Sequence, residues 1–297
     1  MWLAPLVALS LQAFPTSPPA AETPAASEAP RVERDVVYRV VDGLELRLDA
    51  YLPSGQGPHP ALLLVHGGGW KRGKRRDMGP IAERLAGRGY ACFAPDYRLA
   101  PEHRFPAQLE DCAAALRFVR VEAGRFEVDP TRVGGLGLSA GAHLVELLGV
   151  LDERAEPEAT EPLRRASTRL QAVVGFFGPS LLTRTKELDF DTRSPEGFLP
   201  EVDGVTPDEV FRDASPVSFV SADDPPFLLL HGDADPVVPL GHSRLLETKL
   251  RAAGVPCELR VIPGGGHGDF FASFPDGDFW RATEAFLDAR LGPGSKR

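Results

Sequence analysis

Residues 131–141 read Thr-Arg-Val-Gly-Gly-Leu-Gly-Leu-Ser-Ala-Gly, an apolar strand pattern that ends in a glycine-framed serine, Ser139. A helical pattern follows, so Ser139 is predicted to occupy a sharp strand-to-helix turn that raises its hydroxyl above a sheet. The backbone of such a turn is crowded, and only small residues fit two positions away on each side, here Gly137 and Gly141. The stretch therefore predicts an α/β fold that presents a serine nucleophile.

The same residues fit a second pattern, the Gly-x-Gly-x-x-Ala fingerprint of dinucleotide binding, through Gly135, Gly137 and Ala140. That fingerprint needs an acidic residue at the end of a second strand about 20 positions further on. Glu153 and Glu156 lie instead in a charged stretch that proline interrupts. The nucleophile interpretation is therefore favoured.

Around this stretch, strand-like and helix-like patterns alternate along the chain. Two further strand patterns, 36–41 and 44–52, flank Asp42-Gly43 and predict an antiparallel hairpin, because Asp-Gly suits a tight two-residue turn. Buried strands separated by helical crossovers predict a mostly parallel central sheet with helices on both faces. The strand patterns cover residues 61–65, 90–94, 132–138, 172–177, 227–230 and 258–262, and the helix patterns cover 78–88, 107–120, 140–151, 243–253 and 279–291.

One interval, 181–221, breaks the alternation. It is rich in Asp, Glu, Pro and Ser and is too long for an ordinary connection, so it is predicted to form a lid or pocket rim. Its phenylalanines, among them Phe190, Phe198 and Phe211, would line the rim. The alternative is a surface excursion that these rings merely anchor.

A glycine run follows the predicted strand 61–65, in His66-Gly67-Gly68-Gly69-Trp70. Acyl transfer places negative charge on the carbonyl oxygen, and backbone N–H groups aimed at that oxygen lower the barrier. Glycines let the chain pass close enough to offer such donors. Gly68, Gly69 and Ala140 are therefore predicted to form an oxyanion hole, and Trp70, with Phe270, is predicted to contact substrate.

An acid and a base follow in the order that this kind of site requires. Asp235 lies in His231-Gly-Asp-Ala-Asp-Pro-Val-Val-Pro239 after a strand, and His267 lies in the glycine-rich loop 263–268. Asp233 is the alternative acid and is interpreted as a turn residue. The other six histidines do not form a clustered metal-binding pattern, and we expect no metal site.

Composition limits the possible partners. The formal net charge is −9 and 43% of the residues are hydrophobic, which indicates a globular protein that binds neither nucleic acid nor an anionic membrane. A small neutral or weakly polar substrate fits this balance. The three cysteines, Cys92, Cys112 and Cys257, lie in apolar patterns and are expected to be buried thiols.

Residues 1–30 differ from the rest. An apolar run at 3–14, too short to span a membrane, precedes a Pro/Ala-rich linker and resembles a signal peptide. The run is not preceded by Lys or Arg, so a disordered Pro/Ala-rich tail and a wrongly assigned start codon are the alternatives. Residues 31–297 are predicted to form one domain, exported to the periplasm or medium if the segment acts as a signal and cytoplasmic if it does not, with no stable membrane insertion.

Together these motifs resemble the esterase branch of the α/β-hydrolases, which includes the hormone-sensitive-lipase-like carboxylesterases and bacterial feruloyl and acetyl esterases. The resemblance covers about residues 35–292 and includes the block DYRLAPEHRFPAQLEDC at 96–112. It implies hydrolysis of carboxylic esters, without a cofactor, by Ser139, Asp235 and His267. The larger lipase-like relatives carry an N-terminal helical cap that is not seen here, which favours short-chain or small aryl and acetyl esters.

Other functions stay open. The sequence His66-Gly-Gly-Gly-Trp70 also satisfies the pattern of kynurenine formamidases, so a formamidase, amidase or peptidase of the same fold is the second hypothesis. A non-catalytic binding protein on this scaffold is the third. The sequence does not indicate an oligomeric state.

Overall fold

The structure is a computed structural model that describes residues 29–151, 158–183, 186–187, 190–191, 196–201, 204–269, 271 and 277–292. Residues 1–28 of the predicted export segment lie outside the described part, and so does Phe270. The export role predicted for residues 1–30 and the substrate contact predicted for Phe270 therefore stay predictions.

An eight-stranded sheet runs through the centre of the molecule in the order β1-β2-β4-β3-β5-β6-β9-β10. Strand β2 is antiparallel to both β1 and β4, and the remaining neighbours are parallel. The predicted α/β-hydrolase fold, a mostly parallel sheet with an N-terminal hairpin, is thereby confirmed. The strands are β1 (Arg31–Val41), β2 (Leu44–Leu52), β3 (His59–Val65), β4 (Ala91–Pro95), β5 (Val128–Leu138), β6 (Ala172–Phe176), β9 (Phe227–Gly232) and β10 (Cys257–Ile262).

The turn between β1 and β2 follows the chemistry predicted for it. Asp42 has a φ of 50° and Gly43 a φ of 82°, both in the left-handed region that a tight hairpin turn requires. Asp and Gly tolerate this region better than other residues do.

Helices cover both faces of the sheet, as the alternating pattern predicts. They are α1 (Gly79–Ala86), α2 (Ala107–Val121), α3 (Ala140–Val150), α4 (Pro207–Asp213), α5 (Gly241–Ala252) and α6 (Asp278–Leu291). One apolar cluster joins the sheet to Leu144 of α3 and Leu246 of α5, and another joins it to Leu85 of α1 and Leu287 of α6. None of the helices described is both long and apolar enough to cross a membrane.

The interval 181–221 is partly described. It contains the short strands β7 (Lys186–Glu187) and β8 (Phe190–Asp191) and the helix α4, which begins with a capping box at Thr206. Phe198 is fully buried and packs in the core, and this matches the anchoring role that the sequence left open. The Oγ of Ser215 accepts a hydrogen bond from the Leu182 N–H at 2.9 Å, so the two ends of the interval are joined.

The topology fixes where a site can form. Strands β3, β5, β9 and β10 run parallel, so their carboxyl ends meet at one edge of the sheet. The glycine run follows β3, Ser139 follows β5, Asp235 follows β9 and His267 follows β10.

Candidate active site

Ser139 lies on the strained turn that the sequence predicts between β5 and α3. Its φ and ψ are 53° and −118°, a conformation that non-glycine residues rarely adopt and that is retained where the surroundings enforce it. The flanking glycines are needed for close approach: a Cβ on Gly137 would lie 2.2 Å from the Gly141 carbonyl oxygen, and one on Gly141 would lie 2.1 Å from that of Val65. Close packing thus raises the hydroxyl above the sheet.

His267 reaches Ser139 from the loop after β10. Its Nε2 lies 3.0 Å from the Ser139 Oγ, although 128 residues separate the two in sequence. The loop bends tightly against the end of β9, where a Cβ on Gly232 would lie 2.0 Å from the carbonyl oxygen of Gly265. The glycines of this loop therefore allow the close approach that brings the imidazole back over the sheet.

Asp235 lies on the far side of the same imidazole. Its Oδ2 is 2.7 Å from His267 Nδ1, and its Oδ1 accepts the N–H groups of Val237 and Val238 at 2.8 and 2.9 Å. The side chain is inaccessible to solvent. Burial by itself would raise the pKa of this carboxyl, but the hydrogen bonds from His231, His267 and the two backbone N–H groups hold the pKa well below its usual range.

These contacts define the proton positions in the pair. An ionised Asp235 can only accept, so Nδ1 of His267 carries the hydrogen and Nε2 presents a lone pair to the Ser139 hydroxyl. The imidazole is then oriented to take a proton from Ser139 as its oxygen attacks an electrophile.

The glycine run after β3 passes directly beside the nucleophile. A Cβ on Gly67 would lie 3.3 Å from the Cβ of Ser139, and both Gly68 and Gly69 have positive φ, 119° and 62°. Among the residues described, no carbonyl accepts the N–H of Gly68 or Gly69. The N–H of Ala140, at the start of α3, likewise has no acceptor within its helix. Three unused donors therefore belong to the two segments that meet at Ser139.

The block 96–112 supports this glycine run. Tyr97 stacks on the imidazole of His66 with ring centroids 4.2 Å apart, and its hydroxyl donates to the His66 carbonyl at 3.0 Å. Asp96 accepts the backbone N–H of Arg75 at 2.7 Å and also pairs with its guanidinium. These contacts hold both ends of the loop that follows β3.

Trp70 does not face the open side of the site. Its side chain is buried and stacks on Phe198 with ring centroids 4.0 Å apart, so its role in this structure is packing. The prediction that Trp70 contacts substrate followed from its position after the glycines, but a residue directly after a tight loop can equally turn into the core. Phe270, the second residue predicted to bind substrate, lies outside the described part of the chain.

Two residues near the triad formed by Ser139, His267 and Asp235 were not predicted from the sequence to belong to the site. The ring of Phe177, directly after β6, lies 4.6 Å from that of His267 and covers one side of the imidazole. His231, which the sequence analysis does not assign to the site, has its Nε2 3.4 Å from Asp235 Oδ2. The proximity of His231 to Asp235 in sequence was a usable signal, whereas only the strand order brings Phe177 to His267.

The chain is similar in sequence to a known family and to curated esterases. The sequence profile of the BD-FAE family matches residues 48–250. Esterase LipC of Mycobacterium tuberculosis is 35% identical over 223 residues, which are 71% of this chain and 53% of LipC. Isoprenylcysteine alpha-carbonyl methylesterase ICME of Arabidopsis thaliana is 28% identical over 256 residues, 82% of this chain and 58% of that protein. The chain thus spans about half the length of these curated relatives.

Solved structures match over more of their length. An acetyl ester-xyloside bifunctional hydrolase from Caldicellulosiruptor lactoaceticus superimposes with a TM-score of 0.76 at 28% identity, covering 85% of this chain and 91% of that one. A thermophilic esterase from Thermogutta terrifontis, Est2, with butyrate bound, gives a TM-score of 0.72 at 27% identity, covering 91% and 97%. Most of the chain therefore has structural counterparts in these two hydrolases.

Proposed function

Because the chain belongs to the BD-FAE family, we propose that it is a serine hydrolase that cleaves carboxylic esters. One observation carries the proposal: the Ser139 Oγ lies 3.0 Å from His267 Nε2, whose Nδ1 lies 2.7 Å from Asp235 Oδ2. This is the arrangement of nucleophile, base and orienting acid that acyl transfer uses on several unrelated folds.

Acylation begins when the Oγ of Ser139 attacks the ester carbonyl carbon and His267 Nε2 takes the hydroxyl proton. The carbonyl oxygen becomes an oxyanion, and the N–H groups of Gly68, Gly69 and Ala140 donate hydrogen bonds to it. The carbon–oxygen bond to the alcohol then breaks, and the alcohol leaves with the proton that His267 held. Ser139 now carries the acyl group.

Deacylation repeats the steps with water as nucleophile. His267 takes a proton from the water as its oxygen attacks the acyl carbon, and the oxyanion forms against the same donors. Collapse of this intermediate returns the proton to Ser139 Oγ and releases the carboxylic acid. Asp235 stays ionised throughout and stabilises the imidazolium that forms in each half-reaction.

We further propose that the acyl group is short, an acetyl or other small acyl group. The support comes from the structural neighbours, one named as an acetyl ester hydrolase and one solved with butyrate. We expect kcat/KM to be highest for p-nitrophenyl acetate or butyrate and to fall for the decanoate. Turnover of N-formyl substrates or peptides above that of the acetate would favour a formamidase or peptidase instead.

A labelling experiment tests the nucleophile. Treatment with a fluorophosphonate should raise the intact mass by one adduct, located in the peptide that holds Ser139, and Ser139→Ala should remain unlabelled and inactive. Labelling of the Ser139→Ala variant, or an unlabelled and inactive wild type, would contradict the proposal.

We also propose that residues 1–30 direct export, on the strength of the apolar run at 3–14 and the small residues after it. N-terminal sequencing of protein from the periplasm or medium should begin after the apolar run. Full-length protein confined to the cytoplasm would exclude this role.

A further inference from the structure

Trp70 has an unusual backbone conformation for its residue type. Its φ is 60°, in the left-handed region, which bulky side chains rarely adopt because of steric strain. The residue directly follows Gly68-Gly69, which the proposed mechanism uses as donors. Because consecutive residues share a peptide plane, the conformation of Trp70 also determines the direction of the loop at Gly69.

The side chain of Trp70 is held by two contacts. Its Nε1–H donates to Nδ1 of His143 at 3.3 Å, and its ring lies nearly parallel to that of Phe198, at an interplanar angle of 12°. The backbone adds a third contact, because the Trp70 carbonyl accepts the Ala100 N–H at 2.9 Å. The surroundings thus fix both the indole and the backbone of the residue.

His143 connects this indole to two other segments. It lies in α3 one turn after Ser139, and its backbone N–H donates to the Ser139 carbonyl at 3.0 Å. Its Nε2 donates to the Ala214 carbonyl at 2.7 Å, which leaves Nδ1 free of hydrogen and able to accept from Trp70. Burial lowers the pKa of His143 to about 4, so the imidazole is neutral and keeps this tautomer at neutral pH.

We propose that Trp70 and His143 are positioning residues of the oxyanion hole, and that the interval 181–221 supports the hole through Phe198 and Ala214. These contacts connect the glycine run after β3, helix α3 and the interval 181–221 through adjacent side chains. Correct placement of the Gly68 and Gly69 N–H groups then depends on the Trp70–Phe198 stack and on the two hydrogen bonds of His143. These contacts lie outside the substrate-binding side of the proposed site. The inference rests on the proposed ester hydrolysis.

The distinguishing property is transition-state binding. Removing a group that places the oxyanion donors lowers kcat and the affinity for an oxyanionic adduct in parallel, with little change in KM. Removing a group that only supports the fold lowers the melting temperature without this selectivity. A trifluoromethyl ketone is a suitable probe, because Ser139 Oγ adds to its carbonyl, the proton goes to His267, and the oxyanion enters the hole.

Trp70→Phe is the test variant, because it keeps an aromatic ring over Phe198 and removes the Nε1–H. Phe105→Leu is the matched control, because the ring of Phe105 also packs against Phe198, edge-on with ring centroids 5.8 Å apart. We expect Trp70→Phe to lose about 10- to 100-fold in kcat and in trifluoromethyl ketone affinity, as a small displacement of catalytic groups does. Phe105→Leu should retain both within a few-fold.

The outcomes separate clearly. Equal effects of the two variants, or a Trp70→Phe loss confined to KM or to the melting temperature, overturn the inference. Wild-type protein that does not hydrolyse p-nitrophenyl acetate refutes the proposed function instead. If Trp70→Phe does not fold, His143→Gln is compared with the same control, since it retains Trp70 and replaces the imidazole that joins the indole to the Ala214 carbonyl.

Discussion

The carboxylate of Asp235 contacts a second histidine besides His267: Nε2 of His231 lies 3.4 Å from Asp235 Oδ2. The same Nε2 lies 2.7 Å from the Val238 carbonyl, and Nδ1 of His231 lies 2.7 Å from the Ser243 hydroxyl. Nε2 therefore carries the hydrogen that the Val238 carbonyl accepts, and this N–H also lies close to Asp235, while Ser243 donates to Nδ1. The acid of the triad is held by donors on two sides.

Removing the Nε2 donor of His231 should loosen Asp235 without removing the triad. We expect His231→Asn, which cannot reach the Nε2 position, to lower kcat by about 10-fold. His231→Gln places an amide near that position and should retain more activity. Steady-state kinetics on p-nitrophenyl acetate measure both, and a kcat for His231→Asn equal to that of the wild type would refute this role.

The two aspartates after β9 should respond differently to the same substitution. Asp235→Asn can no longer fix the tautomer of His267, and we expect a loss of about 10⁴ in kcat with little change in KM. Asp233 is exposed and accepts the Gly264 N–H at 2.6 Å, a contact that Asn can keep. Asp233→Asn should therefore keep kcat near the wild-type value, with any effect confined to the melting temperature. Folded Asp235→Asn protein with near-wild-type kcat would refute the assignment.

The two glycines of the proposed oxyanion hole should also differ. A Cβ on Gly68 would lie 2.1 Å from the Arg72 carbonyl oxygen, so Gly68→Ala must displace the loop and should lose about 10² or more in kcat/KM. A Cβ on Gly69 meets no atom within 4 Å, and its φ of 62° costs alanine about 1–2 kcal/mol. Gly69→Ala should keep most of its activity. The reverse order of kcat/KM would contradict the loop geometry.

A buried carboxyl in α3 should make the stability of the protein depend on pH. Glu146 is almost fully buried, and its Oε2 has no hydrogen-bond partner among the described residues. Burial raises its pKa to about 8, above the unfolded value of 4.5, so the folded state binds the extra proton and the free energy of unfolding falls as pH rises from about 4.5 to 8.

Glu146→Gln removes this ionisation and should raise the free energy of unfolding at pH 8.5 by roughly 1–3 kcal/mol, with a smaller effect at pH 5. Urea denaturation at the two pH values measures the difference. Glu83→Gln, an exposed substitution in α1, is the control and should change stability equally little at both. A Glu146→Gln effect independent of pH would exclude a titrating carboxyl.

Local patterns account for most of the fold. Period and turn chemistry predicted the β1–β2 hairpin, every strand of the large sheet and the five helices of the core, because each of these elements carries an apolar pattern of its own. Spacing and chain order also predicted which serine, acid and histidine would meet. These features are local or follow from the rule that parallel strands end at one edge.

The remaining features depend on contacts between distant segments. Asp233, interpreted from sequence as a turn residue, accepts the N–H of Gly264 from the loop after β10. Asp235 closes an Asx-turn of its own, because its Oδ1 accepts the Val237 N–H while its Oδ2 contacts His267. Trp70 turns inward because His143 and Phe198, 73 and 128 positions away, offer it an acceptor and a stacking surface. Sequence spacing alone does not contain such pairings.

The 128 positions between Ser139 and His267 also bear on the order in which the molecule is made. Synthesis proceeds from the N-terminus at about 5–20 residues per second, so roughly 6–26 seconds separate the two residues on the ribosome. A nascent chain therefore contains the turn with Ser139 for several seconds before His267 has been added. Any product truncated before residue 267 lacks the general base, so the proposed ester cleavage is confined to chains whose synthesis has passed the last strand.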